Sequence, residues 1–245
     1  MPNSRKFPLL LIAATVALTG QANAYRPFIS TDAAVADFHQ IELEMGYFGL
    51  TRNGGSNTYN VPLTVLNYGV WNRTEAVGQF EVDKSAGQPA LIGNSSLSVK
   101  VVAKEGLLQN KPGGSLAFET AVLLPSPEAG QKRTGFEETG IWSQQLPGLL
   151  CHFNLGTGVD QVDSGAFLFW GLIAERPLTK TFRLVGEITG QSQPEEPPDN
   201  SGLIGLIWDT PKPDLALDAG VRRGLSSTAP DWQFTAGFSY GFTLR

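Results

Sequence analysis

One cysteine in 245 residues, Cys151, excludes an intrachain disulfide framework. Two histidines, His39 and His152, are too few and too far apart in sequence to read as a metal-ligand pattern, with or without that cysteine. Charged residues make up 17% of the chain, well below the usual level of about 25%. Acidic side chains outnumber basic ones, 23 to 18, and the net charge of −5 argues against a nucleic-acid partner. Helical periodicity is scarce, and past residue 24 no apolar run is long enough for a membrane helix. A mean hydropathy of −0.08 is too polar for a bundle of such helices. No glycine-rich phosphate loop opens a helix; Gly54-Gly55 and Gly113-Gly114 read as turns.

What is present begins with an export signature. Arg5 and Lys6 precede a 12-residue apolar run, 7–18, too short to span a bilayer, and Ala22-Asn23-Ala24 offers a small-x-small cleavage site. The pattern predicts a signal peptide over residues 1–24, cleaved to leave Tyr25 first. Losing Arg5 and Lys6 changes the net charge from −5 to −7.

Twenty-eight glycines and sixteen prolines punctuate the rest. Between them, twelve segments alternate with period two: 38–50, 58–70, 74–83, 95–105, 115–124, 135–146, 149–160, 165–176, 181–191, 202–210, 214–225 and 231–243. Their lengths suit tilted strands crossing an outer membrane and exceed those of ordinary sandwiches. Long and short connections are expected to alternate, with 106–114 as an exception.

The closing segment shows two faces most clearly. Phe234, Ala236, Phe238, Tyr240 and Phe242 share one side, and Thr235, Gly237, Ser239 and Gly241 the other. The aromatic side, with Phe234, Phe238, Tyr240 and Phe242, is expected to face lipid, and the small polar side to face a lumen. The same rule applied along the chain turns Glu42, Glu44, Glu81, Lys100, Lys104, Glu119, Arg183, Glu187, Asp218 and Arg222 inward. Arg or Lys at the lipid midplane costs about 2–4 kcal/mol. Arg183 and Glu187, like Asp218 and Arg222, stand four apart on one strand, too far to pair, so their partners are expected on neighbouring strands. The inward set reads structurally as salt-bridged side chains filling a narrow barrel, and functionally as a polar pore lining. Segment 167–174 is apolar on both faces and has no assignable inner side. Most tryptophans fall near segment ends, as interface girdles require; Trp170 sits mid-segment.

Catalytic chemistry has weak support. His152 lies on an inner face near Asn154, with Ser143 or Ser164 as conceivable nucleophiles, but no motif enforces a Ser-His-acid contact. His39 reads as a solvated residue near the first strand.

Several stretches resemble the family of outer-membrane barrels catalogued as transporters of the phenol-degradation meta-pathway. They are Arg26-Pro27-Phe28-Ile29-Ser30-Thr31-Asp32-Ala33, then 38–46 with Glu42 and Glu44, 62–69, and Leu184-Val185-Gly186-Glu187. The most specific is Leu217-Asp218-Ala219-Gly220-Val221-Arg222-Arg223-Gly224-Leu225, followed by Ala229-Pro230-Asp231-Trp232 and Thr235-Ala236-Gly237-Phe238. Residues 86–134 are only loosely similar, and the chain ends Thr243-Leu244-Arg245 where many such barrels end on an aromatic. The resemblance implies an outer-membrane location and a transport role, without a substrate.

These readings combine into one expectation: an all-β, antiparallel transmembrane barrel of about twelve strands over 38–245, with a periplasmic lead-in over 25–37. It is expected to be a passive, porin-like transporter of small molecules, aromatic or hydrophobic ones included, needing no cofactor and no metal. Its expected partners are outer-membrane lipids, the barrel-assembly machinery and a small solute. A structural barrel with a filled, non-conducting lumen is the alternative, and an outer-membrane lipid hydrolase a remote third.

Overall fold

The computed structural model describes residues 26–244. The signal peptide expected over 1–24, its cleavage site and Arg245 lie outside the described residues. Twelve strands follow one another: β1 (Gln40–Asn53), β2 (Ser56–Trp71), β3 (Thr74–Ser85), β4 (Ala90–Lys104), β5 (Ser115–Leu123), β6 (Gly135–Leu146), β7 (Leu149–Val159), β8 (Ala166–Pro177), β9 (Phe182–Ser192), β10 (Asp199–Asp209), β11 (Leu215–Gly224) and β12 (Trp232–Thr243). Each pairs antiparallel with its sequence neighbours, and β12 closes on β1, so the sheet is a barrel with no free edge. Closure leaves no edge strand with an unpaired row of backbone groups, as a strand structure in lipid requires.

Side-chain burial is inverted relative to a soluble domain. Among the described residues, 22 buried side chains are polar or charged and 12 are apolar. The large apolar groups lie outside: Leu97 is 57% exposed, Leu155 61% and Ile204 62%. On β12, Phe234 and Phe242 are exposed and Phe238 and Tyr240 half-buried, while Gly237, Ser239 and Gly241 are buried. The unassigned segment resolves the same way. On β8, Leu168, Trp170 and Leu172 are exposed, whereas Phe167, Ile173 and Glu175 are buried. Trp170 lies opposite Gly190, which has no side chain to displace it.

Rings and cations mark both rims. At the end carrying residues 38 and 244, Phe182 stacks on Trp208 (5.9 Å), and the Lys212 ammonium lies 4.3 Å from the Tyr240 ring centre. At the far end, Arg223 lies 4.5 Å from the Trp232 ring.

One expectation is corrected. The alternation of long and short connections fails at the first, where β1 and β2 are joined by Gly54-Gly55 alone because residues 56–57 continue the ladder; from β5 onward longer and shorter connections do alternate. Both glycines have positive φ (54° and 85°), which a two-residue hairpin turn of this hand demands. The lead-in, whose relation to the lumen the sequence leaves open, runs through it over residues 26–37, and the chain reaches the rim where Phe38 bridges to Gly69.

Register irregularities occur on β1 to β4. A bulge adds one residue to one strand and reverses the side-chain alternation beyond it. The one between Val102 and Lys104 decides a site residue, as shown next.

Candidate functional site

The lumen wall and residues 26–37 are built for each other. Backbone amides of the inner segment need acceptors, and side chains of the wall supply them. Ser30 N–H donates to Glu187 Oε1 (2.7 Å), and Ile29 N–H reaches the same carboxylate. Asn154 holds Thr31 by two bonds, accepting from its N–H (3.1 Å) and donating to its carbonyl (2.8 Å). Ala33 N–H donates to Ser143 Oγ (2.9 Å), and Ala36 N–H to Glu75 Oε2 (2.7 Å). Each neutral bond of this kind contributes about 0.5–1.5 kcal/mol and each bond to a carboxylate about 1.5–3. Small side chains let the segment lie close: Ala33 packs against Ala117 and Ile141.

Ion pairs fix it further. Arg26 Nε stands 3.4 Å from Asp218 Oδ2, and its guanidinium donates to Thr235 Oγ1 (2.6 Å). A Cβ on Gly46 would come within 2.7 Å of that guanidinium, and one on Gly237 would also collide with it. The two glycines therefore make the space for Arg26. Lys100 Nζ lies 3.5 Å from Glu75, 3.7 Å from Asp32 and 3.2 Å from Thr31 Oγ1. Arg222 pairs with Glu187 and donates to Ser201 (3.0 Å) and Thr189 (3.2 Å). Arg183 pairs with Glu175 (2.6 Å) and Asp209 (3.1 Å). No partner is the residue four along the same strand.

Of the ten residues expected inward, the structure buries Glu42, Glu44, Lys100, Glu187, Asp218 and Arg222. Glu119 accepts from Ser98 Oγ (2.6 Å), Glu81 from Asn94 (2.8 Å), and Arg183 is partly covered. Lys104 is the exception. The bulge before it pairs it with Leu116, so it turns outward, exposed, 5.2 Å from the Trp142 ring. Sequence reasoning missed Arg26, Asp32, Glu75, Glu137, Ser143 and Glu175 as wall or plug residues. Glu75 has the parity of Glu81 and was findable; Arg26 and Asp32 precede any alternating segment and carry no such cue.

His152 does meet a serine and an acid. Its Nδ1 is 2.8 Å from Ser143 Oγ, and its Nε2 is 3.4 Å from Glu175 Oε1. In a hydrolytic triad Nε2 faces the serine and Nδ1 the acid; here the ring is reversed. Ser143 and His152 are fully buried, and Ser143 already accepts from Ala33. The trio anchors the inner segment. Ser164 lies in the 160–165 connection, bonded to Arg133. His39, at the rim, meets Tyr68 Oη at 3.1 Å. Among the described residues no metal-ligand cluster forms.

Two cavities flank the inner segment. The larger of them, about 650 Å³, opens toward the far end, and Phe28, Phe167, Phe169, Glu119 and Glu137 are among its lining residues. The smaller, about 340 Å³, lies at the terminal end near Glu42, Arg73 and Glu105. Both are walled by Thr31, Glu44, Asn67, Glu75 and Lys100, so these five residues stand between them as a neck.

No protein-family profile matches the chain, and no curated protein matches it. Solved structures do. An outer-membrane channel from Pseudomonas putida F1 aligns with a TM-score of 0.59 at 11% identity, over 86% of this chain and 97% of that one. The translocator domain of the autotransporter NalP from Neisseria meningitidis aligns at 0.40 and 12%, over 84% and 88%. OmpT, an outer membrane protein of Vibrio cholerae, aligns at 0.36 and 10%, over 88% and 100%. The first likeness supports the barrel fold; the other two are too distant to carry an argument.

Proposed function

We propose that the chain is a bacterial outer-membrane channel that passes small polar solutes beside a fixed inner segment. The carrying observation is the pair of cavities divided only by the five shared side chains of the neck. The inverted burial supports a lipid-facing exterior, and the barrel's likeness to an outer-membrane channel fits both. The closing strand β12, with Phe234, Phe238, Tyr240 and Phe242 outward, is the proposed element for lipid contact and for the assembly machinery. The polar neck moves the solute class away from the aromatic or hydrophobic molecules that the sequence reading included. An aromatic part still finds Phe28, Phe167 and Phe169 in the larger cavity.

One observation favours the closed alternative: Lys100, Glu75 and Asp32 occupy the neck by ion pairing. Solute flux separates the two readings. Protein reconstituted in liposomes is expected to admit small polar solutes and to give discrete current steps in planar bilayers. Silence in both assays, with the protein shown to be folded by heat-modifiable gel migration, establishes the closed barrel instead.

A further inference from the structure

The neck stands between two compartments of one sign. The larger cavity is walled by seven carboxylates, and Lys100 is the one cationic side chain among its described lining residues. The smaller has five carboxylates against Arg73 and Lys100. Lys100 belongs to both. The register sets it between two acids, opposite Glu75 on β3 and opposite Glu119 on β5. Glu44 faces the same neck and accepts from Asn67 (2.9 Å).

We infer that the route selects small cations over anions, and that Lys100 is the residue setting how strongly. This rests on the channel reading above. A cation entering from either end meets carboxylates all the way to the neck, and an anion meets the same field with opposite sign. At the neck the Lys100 ammonium already occupies the place between Glu75 and Asp32 that a passing cation would take. It is a tethered competitor: it neutralises part of the acidic field and repels the permeant ion. One unit charge about 5 Å away in water changes the local level of a monovalent ion by about fourfold, and by about twofold after screening at ordinary salt. The opposite change applies to the anion, so the two multiply in the permeability ratio.

The test is the reversal potential across a planar bilayer in a KCl gradient at neutral pH. Wild type, Lys100→Met, Lys100→Arg and Glu119→Gln are compared after each is shown to be folded by heat-modifiable migration. Wild type is expected to reverse on the potassium side. Lys100→Met is expected to raise the potassium-to-chloride ratio by about fourfold or more, Lys100→Arg to keep the wild-type ratio, and Glu119→Gln to lower it. Lys100→Met leaves Glu75 and Asp32 unpaired; if it fails to fold, Glu119→Gln decides, because Glu119 bonds to Ser98 and lies outside the Lys100 contacts of 3.7 Å or less. Current without ion preference, or a chloride preference, overturns the inference and leaves the channel reading intact. A ratio unmoved in both Lys100→Met and Glu119→Gln also overturns it. Absence of current in every folded variant removes the channel reading, and the inference with it.

Discussion

Arg222 donates to Glu187, Thr189 and Ser201 from a fully enclosed position, and Glu187 in turn holds the amides of Ile29 and Ser30. Removing the guanidinium leaves a buried carboxylate with a charge that nothing balances, a loss of about 3–5 kcal/mol. Arg222→Ala is expected to lower the urea midpoint of the refolded barrel accordingly. Lys111→Ala, at a largely exposed pair with Glu105, is expected to leave the midpoint unchanged. A second residue-level expectation concerns pH. Burial raises the pKa of Asp160, but the amides of Asp163, Val162 and Ser164 outweigh it, and its pKa falls below the ordinary 3.8. A depressed pKa stabilises the folded loop above 3.8 and loses that contribution as pH falls through the lowered value. Amide protection in 160–165, the intrinsic exchange rate relative to the observed one at each pH, is therefore expected to fall on acidification below about pH 4, and Asp160→Asn to abolish that step; an unchanged profile in the variant would refute the assignment. Inward acids such as Glu42, Glu44 and Glu187 were legible from strand parity alone. Their partners were not, because parity says which face a residue takes and nothing about which strand two positions away supplies the opposite charge.

At the scale of single strands, β4 shows where alternation succeeds and where it stops. From Leu97 to Val102 odd positions face out and even positions face in, as the period-two pattern requires. The bulge at Ala103 then sends Lys104 outward, and no feature of the sequence there marks the extra residue. The same strand offers a paired test of its faces. Leu97→Arg places a charge near the middle of the outer surface and is expected to cost about 2–4 kcal/mol in vesicle refolding. Ser96→Arg, one residue away but lining the larger cavity, is expected to cost far less. Equal losses at both positions would mean that the two faces do not differ in environment. Segment 165–176 was illegible for the opposite reason: Phe167 and Phe169 are apolar yet inward, so hydrophobicity alone gives that strand two identical faces.

For the whole molecule, strand count, antiparallel order and polar interior follow from twelve alternating segments. The inner segment does not. Residues 26–37 carry neither helical nor strand periodicity, and their place is set by contacts with residues more than 100 positions away: Glu187, Asn154 and Ser143. Their small side chains, Ala33, Ala34 and Ala36, and the charges of Arg26 and Asp32 make sense once the polar wall around them is known. Together they narrow the lumen to a neck beside Thr31. Single-channel conductance of the wild type against a chain lacking residues 26–36 tests this most directly. The account predicts small, discrete steps for the wild type and unitary steps several-fold larger for the shortened chain, because its loss merges the two cavities into one wide passage. Equal conductance in the two, with both folded, would contradict it.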